Sequence, residues 1–203
     1  MLIEQPPLWL RKIYPNAIWR KSEEEKVVFL TFDDGPCKET TLRILEILDK
    51  FEAKATFFCV GENVQRTPML FDEIKKRGHQ VGNHTLRHVK GFNFSTKKYI
   101  SQVERADKLI ESPLFRPPYG QIKIEQYREL SKKYTIVMWD VITRDYNQKL
   151  SPEKIFGIVK KYTRNGSIIV FHDSKKAKKN VLSTLPKALQ FLKNEGFQFA
   201  TLN

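Results

Sequence analysis

At 203 residues, 14 of them Phe, the chain can bury one sizeable core, which excludes a disordered protein. Its 36 Lys and Arg against 23 Asp and Glu leave a net charge of +13. That balance fits acidic partners (nucleic acid, anionic lipid headgroups, anionic cell-wall polymers) or merely many exposed lysines. Two cysteines, Cys37 and Cys59, exclude a disulfide framework, and no stretch approaches the length of a membrane span.

Residues 1–25 are expected to form an N-terminal extension. Leu8, Trp9, Leu10, Ile13, Tyr14, Ile18 and Trp19 are mixed there with Arg11, Lys12, Arg20 and Lys21. Such a segment can pack on the domain or lie on a membrane surface. No secretory signal is legible in it, so the cytoplasm or the membrane periphery is expected.

From residue 26 to 203, apolar runs alternate with amphipathic patterns. Strands are predicted at Val27–Thr31, Ala55–Val60, His79–Gly82, Leu114–Arg116, Thr135–Trp139, Ser167–Phe171 and Phe197–Leu202. Helices are predicted at Thr41–Phe51, Pro68–Arg77, Ser95–Ile110, Ile122–Lys133, from Ser151 to near Asn165-Gly166, and at Leu185–Asn194. Ser95 is a plausible cap; Ser151-Pro152-Glu153 has the preferred order of cap, Pro and acid. This alternation implies an α/β fold with a parallel sheet. Asp33, Asp34, His84, His88, Arg116, Asp145 and His172 all fall at or after strand ends. They converge only if those ends form a ring, so we expect a distorted, reduced (β/α) barrel with about seven parallel strands.

Several of these segments suggest chemistry. His84 and His88 in NHTLRH stand at i and i+4, which on a helical turn would put two imidazoles on one face for a metal. Thr85, Leu86 and Arg87 between them offer no base. Asp33-Asp34-Gly35-Pro36 can supply one: adjacent carboxylates need a cation nearby, and one can ligate metal while the other faces water. Phe115-Arg116-Pro117-Pro118-Tyr119-Gly120 is a rigid loop that can aim the Tyr119 amide at developing negative charge. His172 ends the apolar run IIVF. The lysines from Lys175 to Lys179 follow it and could receive an anionic substrate.

In order, TFDDGP, NHTLRH, RPPYG, a WDV…RDY segment and IIVFHDS resemble the polysaccharide deacetylases of the NodB-homology type (carbohydrate esterase family four), over roughly Lys26 to Thr201. The resemblance implies a metal-dependent hydrolase that removes N-acetyl, sometimes O-acetyl, groups from a glycan such as peptidoglycan or a chitin-like oligosaccharide. It implies that Asp34, His84 and His88 ligate a divalent ion, most often Zn2+. Asp33 would be the general base, oriented by Arg116. The Tyr119 N–H would assist at the acetyl oxygen, and His172 would be the general acid, supported by Asp145. The implied partner is an acetylated glycan; no nucleic acid is expected, and peripheral membrane or cell-wall contact is open. Action at the cell envelope would follow.

Phe171, Tyr146 and Ile142 depart from the usual pattern at positions that tend to shape the acetyl pocket and groove. Trp139 could restore part of an apolar wall. Two rivals remain: a barrel amidohydrolase acting on a non-sugar amide, and a non-catalytic glycan-binding pseudoenzyme.

Overall fold

The structure, a computed structural model, describes residues 4–21 and 23–202; residues 1–3, 22 and 203 of the two expected segments lie outside the described residues. In chain order the elements are α1 (Leu8–Ile13), β1 (Val27–Asp33), α2 (Thr41–Lys50), β2 (Ala55–Cys59), α3 (Gly61–Arg66), α4 (Pro68–Lys76), β3 (Gln80–Asn83), α5 (Thr96–Ile110), β4 (Leu114–Phe115), α6 (Ile124–Leu130), β5 (Thr135–Ile136), β6 (Val141–Ile142), α7 (Pro152–Tyr162), β7 (Ile168–His172), α8 (Lys178–Asn194) and β8 (Gln198–Phe199).

Nearly every residue of β1, β2 and β7 is buried, because helices cover one face of the curled sheet and side chains fill the other. The strands run β5-β4-β3-β2-β1-β7-β6, all parallel, and β8 pairs with the start of β1. Seven strands along this path make the distorted, incomplete barrel expected from the sequence. Phe32 stacks between Phe57 and Phe171, with ring centroids 4.9 and 5.9 Å away. This aromatic layer and the buried faces of α2 and α8 form the main core.

The barrel is open between β5 and β6, and the N-terminal segment crosses that seam. The Ile18 N–H donates to Ile136 O and the Met138 N–H to Ile18 O, both at 2.8 Å. The Ile142 N–H donates to Glu4 O at 2.9 Å on the other side. Tyr14, Ala17 and Trp19 are buried in a second core cluster with Tyr127, Ile136 and Met138. Asp140, fully buried, clasps this segment to the barrel: it accepts from Arg11 Nη2 at 2.6 Å, Ser167 Oγ at 2.8 Å, and Arg164 Nη2 and Nε at 2.8 and 3.0 Å. Leu8, Trp9 and Ile13 of α1 face outward. No helix among the described residues is long and apolar enough to cross a membrane.

Several elements differ from the sequence reading. β6 was not predicted, because two residues carry no periodic signal, and it makes the loop holding Asp145 follow the sixth strand, not the fifth. α3 directly after β2 was also missed. α8 begins at Lys178, well before Leu185, and carries Pro186 inside it; the basic start hid the helical register. Ser151 caps α7 by accepting from the Lys154 N–H at 3.3 Å, whereas the Ser95 hydroxyl makes no capping bond on α5.

Replacing Asp140 with Ala would leave two arginines and a serine without their shared acceptor. The expected cost is about 2–4 kcal/mol, below the largest effects of breaking buried pairs because Arg164 is partly exposed and can rehydrate. Urea unfolding of the variant measures it.

Candidate active site

Parallel register brings the two ends of the chemistry together. Asp33 ends β1, His172 ends β7, and their Cα atoms are partners across the neighbouring strands. Side chains alternate along a strand, so Asp33 and His172 share the face opposite Phe32 and Phe171. Both line a cavity of about 650 Å³ at the C-terminal rim, together with Asp34, His84, His88, Arg116, Tyr119 and Tyr146.

Arg116 is fully buried and determines the position of Asp33. Its Nη1 donates to Asp33 Oδ1 and to Thr31 Oγ1, each at 2.7 Å, while Nη2 and Nε reach the carbonyls of Met138 (2.8 Å) and Val137 (3.3 Å). The guanidinium lies 4.1 Å from the Phe58 ring centroid. Burial pulls the Arg116 pKa down, and Asp33 opposes that pull.

Asp34 follows β1 with φ 80°, which turns its carboxylate toward the histidines. His84 and His88 are not on a helical turn, contrary to the reading of their spacing. They sit on a loop after β3 in which Thr85 (φ 65°) and His88 (φ 52°) break any helix, and the Asn83 side chain accepts the Thr85 N–H at 2.9 Å. His84 Nδ1 lies 2.8 Å from Arg116 O. A carbonyl only accepts, so Nδ1 carries the proton and Nε2 presents a lone pair. That lone pair faces Asp34 Oδ1 at 3.8 Å, and His88 Nε2 stands 3.1 Å from the same oxygen.

Asp34 Oδ1 is buried with no hydrogen-bond donor of good geometry. Two acceptors aimed at one point make sense if a cation lies between them. The three ligand atoms fall within 4.8 Å of one another, and an Asp-His-His donor set fits a divalent transition ion. Burial lowers the His84 pKa to about 4, keeping the ring neutral for ligation. Burial would raise the Asp34 carboxyl, but His88 and the nearby imidazoles hold it far below its usual range.

His172 is fixed by Asp145, which is fully buried. Asp145 Oδ1 lies 2.7 Å from His172 Nδ1, and Oδ2 accepts the His172 backbone N–H at 2.9 Å. Burial pushes the imidazole pKa down, but the Asp145 carboxylate, with help from Asp34 and Asp33, outweighs it and lifts the pKa to about 9. The fourth histidine, His79, is structural: its Nδ1 accepts the Ala55 N–H at 3.2 Å, and burial lowers its pKa to about 4.

Tyr119 has φ 60° at the tip of the RPPYG loop and is 56% exposed. Its ring lies 4.7 Å from that of His88. The next residue must be glycine, since φ is +65° and a Cβ would strike the Trp139 indole. Of the three departures, Ile142 and Tyr146 line the cavity, but Phe171 does not. Neighbouring His172 points into the site, so alternation sends Phe171 into the core. Trp139 joins the apolar wall, and so do Pro6 and Leu10 from the N-terminal segment, which sequence reasoning had not assigned to the site.

Sequence reading also missed a support beneath the acidic turn. Asp173 is buried and accepts from Thr40 Oγ1 at 2.5 Å and Thr41 Oγ1 at 2.6 Å, and its N–H donates to Asp33 O at 2.7 Å. A Cβ on Gly35 would collide with its carboxylate. Its position beside His172 was the available signal; the threonines gave none.

The chain matches the Polysaccharide deacetylase family over residues 20–139. It is 33% identical to a peptidoglycan-N-acetylglucosamine deacetylase of Bacillus cereus, covering 91% of this chain and 90% of that one. It is 32% identical to the peptidoglycan-N-acetylmuramic acid deacetylase PdaC of Bacillus subtilis, over 88% of this chain but only 38% of that longer protein. The solved structure of the peptidoglycan N-acetylglucosamine deacetylase Bc1960 superposes with a TM-score of 0.90 at 30% identity, covering 97% and 95% of the two chains. With this fold, this site and these matches, the chain belongs to the NodB-homology polysaccharide deacetylases of carbohydrate esterase family four. It is a polysaccharide deacetylase, a class of hydrolase that depends on a metal.

In metal-stripped protein, NMR titration of the His172 ring is expected to show a midpoint near pH 9, falling below the ordinary 6.5 in Asp145→Asn as burial then dominates. Because the folded pKa is raised, the stability it contributes is full below about pH 6.5 and is lost as the pH rises through about 9. The stability gap between wild type and Asp145→Asn should therefore narrow over that window.

Proposed function

We propose that this protein removes N-acetyl groups from peptidoglycan, using a zinc ion held by Asp34, His84 and His88. One observation carries the reading: a carboxylate held by buried Arg116 and an imidazolium held by buried Asp145 flank the Asp-His-His cluster in one cavity. When bound, the ion would polarise the acetyl carbonyl and lower the pKa of water from ~16 to about 7.

The protein's own groups would supply the rest. Asp33 takes the proton of the attacking water, and Arg116 keeps its carboxylate oriented. The Tyr119 N–H donates to the acetyl oxygen as charge develops there. An amine leaves poorly until it is protonated. His172 has Nδ1 committed to Asp145, so its Nε2 proton is the one available to the departing nitrogen. Leu10, Trp139 and Ile142 offer an apolar wall for the acetyl methyl. Zinc is the choice for this donor set because it accepts nitrogen and carboxylate ligands with a position left open. The named activities of the relatives support peptidoglycan as the polymer, and that substrate would place action at the cell envelope. The exposed Leu8, Trp9 and Ile13 beside Lys12 suit contact with a membrane surface there.

The test is acetate release from peptidoglycan, chitooligosaccharides, acetylxylan and N-acetylated sugar precursors. Asp33→Asn and His172→Ala should keep zinc yet lose roughly 10²–10⁴ in turnover, whereas His84→Ala should lose zinc affinity. Normal turnover in either of the first two refutes the acid and base roles. No acetate from any substrate, with zinc bound, would favour a non-sugar amide.

A further inference from the structure

Asp145 aligns His172, and the turn that carries Asp145 is itself held from two sides. The Asp145 carboxylate spans the main chain and the ring of one residue, with Oδ2 on the His172 N–H and Oδ1 on Nδ1. A small tilt of the turn therefore redirects the imidazole. The strand pairing beside it ends at Thr143, whose N–H and hydroxyl both reach Val170 O, at 3.1 and 2.8 Å. The chain then bends through Arg144, a non-glycine residue with φ 62°. That left-handed conformation is unfavourable for a residue with a Cβ and persists where the surroundings enforce it.

Two contacts enforce it. On one side, Asn180 of α8 is buried, and its Nδ2 donates to Asp145 O at 3.0 Å and to Asn147 O at 3.2 Å. On the other side, Arg144 Nη1 donates to Glu4 Oε1 at 2.5 Å. Arg144 Nε is buried with no acceptor among the described residues, so the Glu4 pair is the anchor of that side chain. Glu4 is in turn tied to β6, because its carbonyl accepts the Ile142 N–H. Neither Asn180 nor Glu4 lines the catalytic cavity, so their effect on the reaction runs through the turn. We propose that Asn180 and the Glu4–Arg144 pair are positioning residues for proton delivery: they aim Asp145, and through it His172 Nε2, at the departing nitrogen. The N-terminal segment is then part of the acid side of the site. The proposal rests on the deacetylase reading above and adds to it the residues that set the acid in place.

The test uses zinc-loaded full chains of wild type, Asn180→Leu and Glu4→Ala on two substrates. Soluble peptidoglycan fragments lose an amine, which needs a proton to leave; 4-nitrophenyl acetate loses a nitrophenolate, which does not. Misaim of the acid should lower kcat on the fragments roughly 5- to 50-fold with KM held within about twofold, and lower kcat on the ester far less. In both variants the proton NMR signal of His172 Nδ1–H, shifted downfield by its 2.7 Å bond to Asp145, should move upfield or broaden away. Glu4 is partly exposed, so Glu4→Ala keeps the test decisive if Asn180→Leu fails to fold. Equal losses on the two substrates, undiminished kcat on the fragments, or an unmoved Nδ1–H signal each overturn the positioning role and leave the deacetylase reading intact. His172→Ala should show the same split more strongly. Equal losses there, or acetate from neither substrate with wild type, overturn the parent reading and this one with it.

Discussion

The buried Arg116 guanidinium is the interaction on which the rest of the site depends. Burying a cation is costly unless it is paired and its N–H groups are satisfied. Here Asp33 provides the charge, Thr31 and two carbonyls take further N–H groups, and the Phe58 ring covers one face. These partners come from β1, β2 and the chain leaving β5, so the ion pair fastens three parts of the barrel around one point. The backbone carbonyl of the same residue fixes the tautomer of His84. One residue thus orients the Asp33 carboxylate with its side chain and the His84 imidazole with its main chain.

This arrangement explains how adjacent aspartates can differ. Asp33 is the last residue of a strand and is held by Arg116. Asp34 leaves the strand through a positive φ and turns to the histidines. Gly35 then passes so close to Asp173 that no larger residue fits. Across the sheet, Asp145 keeps His172 protonated at a pH where a free imidazole would be neutral. The two sides of the cavity are therefore fixed by two buried ion pairs, one orienting a carboxylate and the other an imidazole, a division suited to acid and base work on one bond.

The fold was legible where the physics is local. VVFLT, ATFF and SIIVF are continuous apolar runs because both of their faces are covered, and they are three adjacent inner strands. Two-residue strands such as β6 leave no pattern, and their pairing comes from neighbours. The residues that meet in the cavity could be named from their motifs, since few residue types suit metal and proton chemistry. Their geometry could not. The spacing of His84 and His88 suggests a helix, but positive φ at Thr85 and His88 produces the same convergence on a loop. Phe171 lies beside His172 in sequence and on the opposite face in space. The part played by Pro6 and Leu10 depends on a chain crossing held by Asp140, more than a hundred residues away in sequence.

The central claim, that Asp34, His84 and His88 hold a metal on which deacetylation depends, is tested most directly by titrating zinc into the stripped protein while following acetate release from peptidoglycan. The account predicts that release is absent without metal, rises in proportion to added zinc and saturates at about one equivalent per chain. Acetate release that persists in the presence of a chelator, or that stays absent when the site is saturated, would contradict it.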